Sequence, residues 1–89
     1  MINKLEYMKL KKVLLKNLKN QRVCIEIKGI ISTQFFIEKT KVIINKHKMI
    51  LADENKEFEL EFLKIKKIKF QDMWSFKIIY EDFNVVVEI

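Results

Sequence analysis

The chain has 89 residues, 49% apolar and 34% charged, with one glycine, no proline and a formal net charge of +6. That length holds one domain with little margin of burial, and that apolar fraction excludes a disordered chain. A single cysteine excludes an internal disulfide, and the longest apolar run, Met49-Ile50-Leu51-Ala52, is far too short to span a bilayer.

The charge is unevenly placed. Residues 1–20 carry six lysines against Glu6 alone, a net +5, while the remaining sixty-nine residues are close to neutral. Lysine outnumbers arginine seventeen to one, and Ile, Asn and Phe are abundant, as in an AT-rich genome. Codon bias accounts for much of the lysine total but not for the absence of acids from residues 7–25. Clustered charge of one sign speaks to the nature of a partner, whereas dispersed charge speaks only to solubility.

Residues 4–19 read as a helix. At 100° per residue, Tyr7, Met8, Leu10, Leu14, Leu15 and Leu18 fall on one broad apolar arc, and Lys9, Lys12, Lys16 and Lys19 gather on the other. Lys11 intrudes on the apolar arc and Leu5 on the basic one. Asn3 is the N-cap, with Glu6 three residues on as its capping-box partner, and Asn17 and Asn20 suit the C-terminal end.

After residue 20 the period changes to two. Val23, Ile25 and Ile27 alternate with polar neighbours up to Gly29, and a second apolar stretch runs over 30–37, giving two strands or one bulged strand. Residues 41–45 and 48–52 form a hairpin about Lys46-His47. In 57–62, three glutamates alternate with Phe58, Leu60 and Phe62, the signature of a strand wet on one face. The phase slips from Leu63, which reads as a bent strand, and 74–80 and 84–89 form a last hairpin in which Trp74, Phe76, Ile78 and Tyr80 share a face. With so little glycine, the turns fall to Asn, Asp and Lys at 45–47, 53–56 and 81–84.

The expected fold is a single domain over 1–89, mostly β (α+β). An N-terminal amphipathic helix (4–19) caps a small antiparallel β-barrel or strongly curved sheet of five to seven short strands, built from residues 22–89. The order of one helix and then short antiparallel strands is similar to that of the Sm-like small barrels, which assemble into RNA-binding rings. The segment where that family keeps its Arg-Gly or Lys-His signature reads Leu63-Lys64-Ile65-Lys66-Lys67-Ile68, without glycine, and a further hairpin follows Phe70. The similarity lies in element order, and no functional residue is carried over from it.

Nothing in the chain composes a catalytic constellation. The one histidine, His47, falls in a turn between lysines, and the one cysteine, Cys24, in a strand, so neither nucleophile-and-base nor transition-metal spacing is present. Glu57, Glu59 and Glu61 read as the solvated face of a sheet, and a single glycine makes no phosphate-cradling loop. The expectation is a non-enzymatic binding module with no cofactor and no metal.

The positive signal is the row Lys9, Lys12, Lys16 and Lys19, four charges spaced along about 15 Å of helix, continued by Arg22. It suits RNA or single-stranded nucleic acid, or alternatively an acidic protein docked by a small inhibitor or regulator of the kind mobile elements carry; the plain alternative is a solvated helix back. Phe36 and Phe83 are the candidate exposed aromatics for base stacking. Val85, Val87 and Ile89 form an apolar C-terminal edge strand unguarded by proline or lysine, which predicts pairing either within the barrel or with another copy in a homo-oligomer, or extension of a partner's sheet. A cytoplasmic location without membrane association is expected.

Overall fold

The computed structural model describes residues 2–72 and 74–89. Helix α1, Lys4–Val13, starts where the sequence supplies a cap: the Glu6 amide donates to Asn3 Oδ1 (2.8 Å) and the Asn3 amide donates to Glu6 Oε1 (3.2 Å). The helix then widens into a π-helical turn over Leu14–Leu18, closed by the Lys19 amide donating to the Leu14 carbonyl at 3.0 Å. Asn20, in the left-handed region at φ 66°, ends it, in keeping with the tolerance of asparagine for that conformation.

Eight strands follow: β1 Val23–Lys28, β2 Thr33–Ile37, β3 Lys41–Ile44, β4 Lys48–Ala52, β5 Glu57–Glu61, β6 Lys67–Asp72, β7 Ser75–Ile79 and β8 Asn84–Glu88. They form two antiparallel sheets, one of five strands in the order β2-β1-β8-β7-β6 and one of three in the order β3-β4-β5. All neighbours are consecutive in sequence except β1 and β8, which pair from Cys24↔Glu88 to Lys28↔Asn84.

Eight strands exceed the five to seven expected because the phase slip at Leu63 is not a bend. Phe62–Lys64 is a 3-10 turn that separates β5 from β6 and buries Phe62. No ladder crosses from β5 to β6 or from β2 to β3, so the described strands form two sheets and no closed barrel. At the β2–β3 seam, buried Thr40 latches the sheet to the end of the helix: its amide donates to Gln21 O (3.0 Å), its hydroxyl donates to the same carbonyl (2.8 Å), and its carbonyl accepts from the Asn20 amide (2.8 Å).

One contiguous core fills the space between helix and sheets. It takes Leu10, Leu14 and Leu18 from α1 and its π turn, Ile25, Phe76, Ile78, Val85 and Val87 from the larger sheet, and Met49, Leu51 and Leu60 from the smaller. Across the sheets the Phe35 and Phe58 rings meet edge to face, centroids 5.5 Å apart. No helix among the described residues is long and apolar enough to cross a membrane.

The turns are made as the composition requires, by short polar side chains bonding their own backbone. Asn45 Oδ1 accepts from the amides of His47 and Lys48, Asp53 Oδ1 from those of Asn55 and Lys56, and Asp72 Oδ1 from that of Trp74. The other Asp53 oxygen accepts from the Glu38 amide at 3.0 Å. These backbone donors, that of Glu38 foremost, hold the Asp53 carboxyl down at about 2 against an ordinary 3.8.

The C-terminal strand is not an edge. β8 lies between β1 and β7, with Val85 and Val87 fully buried, so of the two expected outcomes the strand pairs within the fold, and its reading as a free self-association edge at Val85, Val87 and Ile89 is corrected. Ile89 is exposed, yet its amide donates to Trp74 O at 3.1 Å. Three valines without a guarding charge are what an interior strand permits. The true edges carry the guards: Lys67 and Lys69 on β6, Glu57, Glu59 and Glu61 on β5, and Lys41 on β3. On β2 the Lys56 ammonium donates to the Phe36 carbonyl, occupying part of its edge.

Candidate binding face on the helix

Only Leu10, Leu14 and Leu18 of α1 and its π turn are wholly buried, with Tyr7 half-buried edge-on against Phe62 (5.9 Å, 84°). The buried stripe is therefore narrower than the apolar arc read from sequence. Met8 and Leu15, expected in that arc, lie about 100–120° round the helix from Leu14. They emerge outside the buried stripe, 58% and 40% exposed, together with Leu5 at 77%. A helix seated on two small sheets buries one line of side chains; Tyr7 and Val13 pack partly against the core, while Leu5, Met8 and Leu15 are left exposed.

The outward face accordingly mixes lysines with apolar groups. Lys4, Lys9, Lys11, Lys12 and Lys16 are all exposed. Tyr7, Met8, Lys11, Lys12, Leu15 and Lys16 line one shallow, predominantly apolar groove along the helix. A second groove, between helix and β6, is lined by Lys9, Lys12, Val13, Lys16, Asn17, Phe70 and Asp72. There the Lys9 ammonium sits 4.6 Å from the centroid of the Phe70 ring, a cation–π contact.

Lys9, Lys12 and Lys16 are thus brought together, while the rest of the expected row is not continuous with them. Lys19 lies beyond the π turn. Arg22 is engaged elsewhere: its guanidinium pairs with Glu38 (Nε to Oε1, 2.9 Å) and stacks over Phe36 at 4.1 Å. Phe36, 38% exposed, therefore presents one face to Arg22 and not to solvent. Phe83, also 38% exposed, stacks on Tyr80 (4.7 Å, 14° between planes), away from the helix lysines on the β7–β8 turn. Trp74 departs from the face expected to be shared with Phe76 and Ile78: it precedes β7 in the turn and is half exposed, while Phe76 and Ile78 are buried.

Electrostatics distinguish this face from the remainder of the surface. The ion pairs among the described residues are Arg22–Glu38, Lys28–Glu26, Lys48–Glu59 and Lys56–Asp53, all of them in the strands and their connections. None of them engages a lysine of residues 4–19. Asp72, which lines the second groove with Lys9, Lys12 and Lys16, is occupied by the Trp74 amide and the Ser75 hydroxyl.

The other chemistry-bearing residues are accounted for in the strands and turns. Cys24 is buried, its sulfur accepting from Gln34 Nε2 at 2.9 Å, and no group of three or more His, Cys, Asp or Glu suited to a metal ion exists among the described residues. Burial, then the Glu61 carboxylate, push the Tyr80 phenol up to about 12. The residues that sequence reasoning missed are Leu5, Met8 and Leu15 as members of the basic face; the visible signal was Leu5, which already interrupts the lysine arc. No protein-family model, curated protein or solved structure matches the chain.

Proposed function

We propose that this chain is a non-enzymatic binding module that engages an anionic macromolecule through the outward face of α1. The supporting observation is that five exposed lysines on one helix, Lys4, Lys9, Lys11, Lys12 and Lys16, take part in none of the ion pairs among the described residues. Like charges crowded on a helix repel, and an external anion relieves that repulsion while releasing its own counterions. Nucleic acid is the reading favoured by the second groove, which Lys9, Lys12 and Lys16 line together with Phe70. An acidic protein surface is the reading favoured by the apolar groove beside it.

Fluorescence anisotropy with mixed-sequence RNA, single-stranded DNA and polyglutamate across a salt series tests the proposal. With roughly three to five charges neutralised on a single strand, affinity for nucleic acid falls about 20- to 100-fold between 50 and 200 mM salt. The triple variant Lys9→Glu, Lys12→Glu, Lys16→Glu abolishes binding to every polyanion. Absent binding, or binding indifferent to salt and to charge reversal, overturns the proposal.

A further inference from the structure

The exposed residues of α1 and its π turn repeat with a spacing that a solvated helix back does not need. Leu5, Met8, Lys12 and Leu15 recur at intervals of three, four and three, the a and d positions of two heptads. Around the helix these four fall within about 80° of one another, on the side away from Leu10, Leu14 and Leu18. On that register Lys9 and Lys16 occupy e, and Lys4 and Lys11 occupy g. Every position flanking the seam is a lysine, except that the g position of the second heptad turns inward as buried Leu18. We infer that this face is one half of a helix–helix seam, and that its partner is an amphipathic α-helix of another protein with apolar a and d positions and acidic e and g positions.

This rests on the proposed anion-binding role of the same face and names its ligand. Three arguments select a protein helix. The apolar members are well exposed, and Met8 and Leu15 share a groove with Lys11, Lys12 and Lys16, so the apolar strip and its charges belong to one surface. Phosphates would satisfy the lysines but leave Leu5, Met8 and Leu15 against a hydrated backbone, and the aromatic rings of the two grooves are already engaged, Tyr7 edge-on against Phe62 and Phe70 by the Lys9 ammonium. A second copy of this chain would set e and g lysines against e and g lysines, the arrangement by which natural coiled coils refuse a partner. Lys12 at an a position weakens the seam with any partner, and its ammonium is offset by the acids at the partner's flanking e and g positions, which helps fix the register.

The test uses the full chain and synthetic three-heptad peptides, measured by anisotropy at about 0.15 M NaCl, where exposed charges are screened beyond about 8 Å. One peptide has Leu at a and d and Glu at e and g; a second is its sequence scrambled to destroy the heptad; a third carries Lys at e and g. The first binds, the scrambled one binds at least about tenfold more weakly, and the lysine peptide does not bind. The double variant Met8→Ser, Leu15→Ser, at exposed positions, weakens the first peptide about tenfold or more, a larger loss than it causes for polyglutamate or RNA. Equal affinity for ordered and scrambled peptides, or no loss in the double variant, overturns the inference while leaving the anion-binding role standing; failure of all polyanions and peptides overturns both. Sedimentation showing a dimer that Met8→Ser, Leu15→Ser dissociates makes the occupant a second copy and overturns the inference as well.

Discussion

Asp53 joins two turns with one carboxylate. Its Oδ1 takes the amides of Asn55 and Lys56 within its own turn, and its Oδ2 takes the Glu38 amide from the β2–β3 connection. Because these donors favour the ionised form, the folded-state value of about 2 lies below the ordinary 3.8. The associated stabilisation is complete above about pH 4 and is lost as pH falls toward about 2, where the folded state also takes up the proton. Asp53→Asn has no such proton to bind. It is therefore expected to be less stable than the parent near neutral pH, with the difference shrinking as pH falls from about 4 to about 2, read from urea denaturation at a series of pH values. A difference that stays constant down to the acid end of that series contradicts this account. The local half of the arrangement was legible, since Asp-Glu-Asn-Lys is a turn on composition alone; the Glu38 contact was not, because it depends on two connections meeting in space.

Among the elements, the helix start was the most legible and the helix face the least. A capping box is a local arrangement of residues three apart, so Asn3 and Glu6 suffice to place it. How wide a stripe the helix buries is decided by what it packs on, and the sequence does not reveal the breadth of two sheets. The same division governs the strands. That Val85 to Val87 form a strand follows from side-chain type, whereas its interior position follows from β1 and β7 both pairing with it, a fact of topology. Asn3→Ala removes the acceptor for the Glu6 amide at an exposed helix end and is expected to cost about 1 kcal/mol, while Asn3→Asp retains the cap. Urea midpoints of the two variants check this, and an unchanged midpoint in Asn3→Ala means the helix is anchored by Leu10, Leu14 and Leu18 alone.

For the whole molecule, one long-range ladder and one shared core replace the closure of a barrel. The chain runs as a meander whose ends meet only at β1 and β8, and its two seams are held by Thr40 on one side and by the Phe62 turn on the other. Neither sheet has a core of its own: Val87 on β8 belongs to the same buried cluster as Met49 and Leu51 on β4. A domain this small gains too little from either sheet alone to hold it folded, so the two are expected to melt together. Val87→Ala removes two buried methyl groups from the central strand and costs roughly 2 kcal/mol. If the core is cooperative, that loss appears equally in Trp74 fluorescence, which reports the larger sheet, and in the hydrogen-exchange protection of β4 amides, which reports the smaller. Protection of β4 that survives Val87→Ala unchanged means the three-stranded sheet is an independent unit, and the common core is then packing contact without cooperativity.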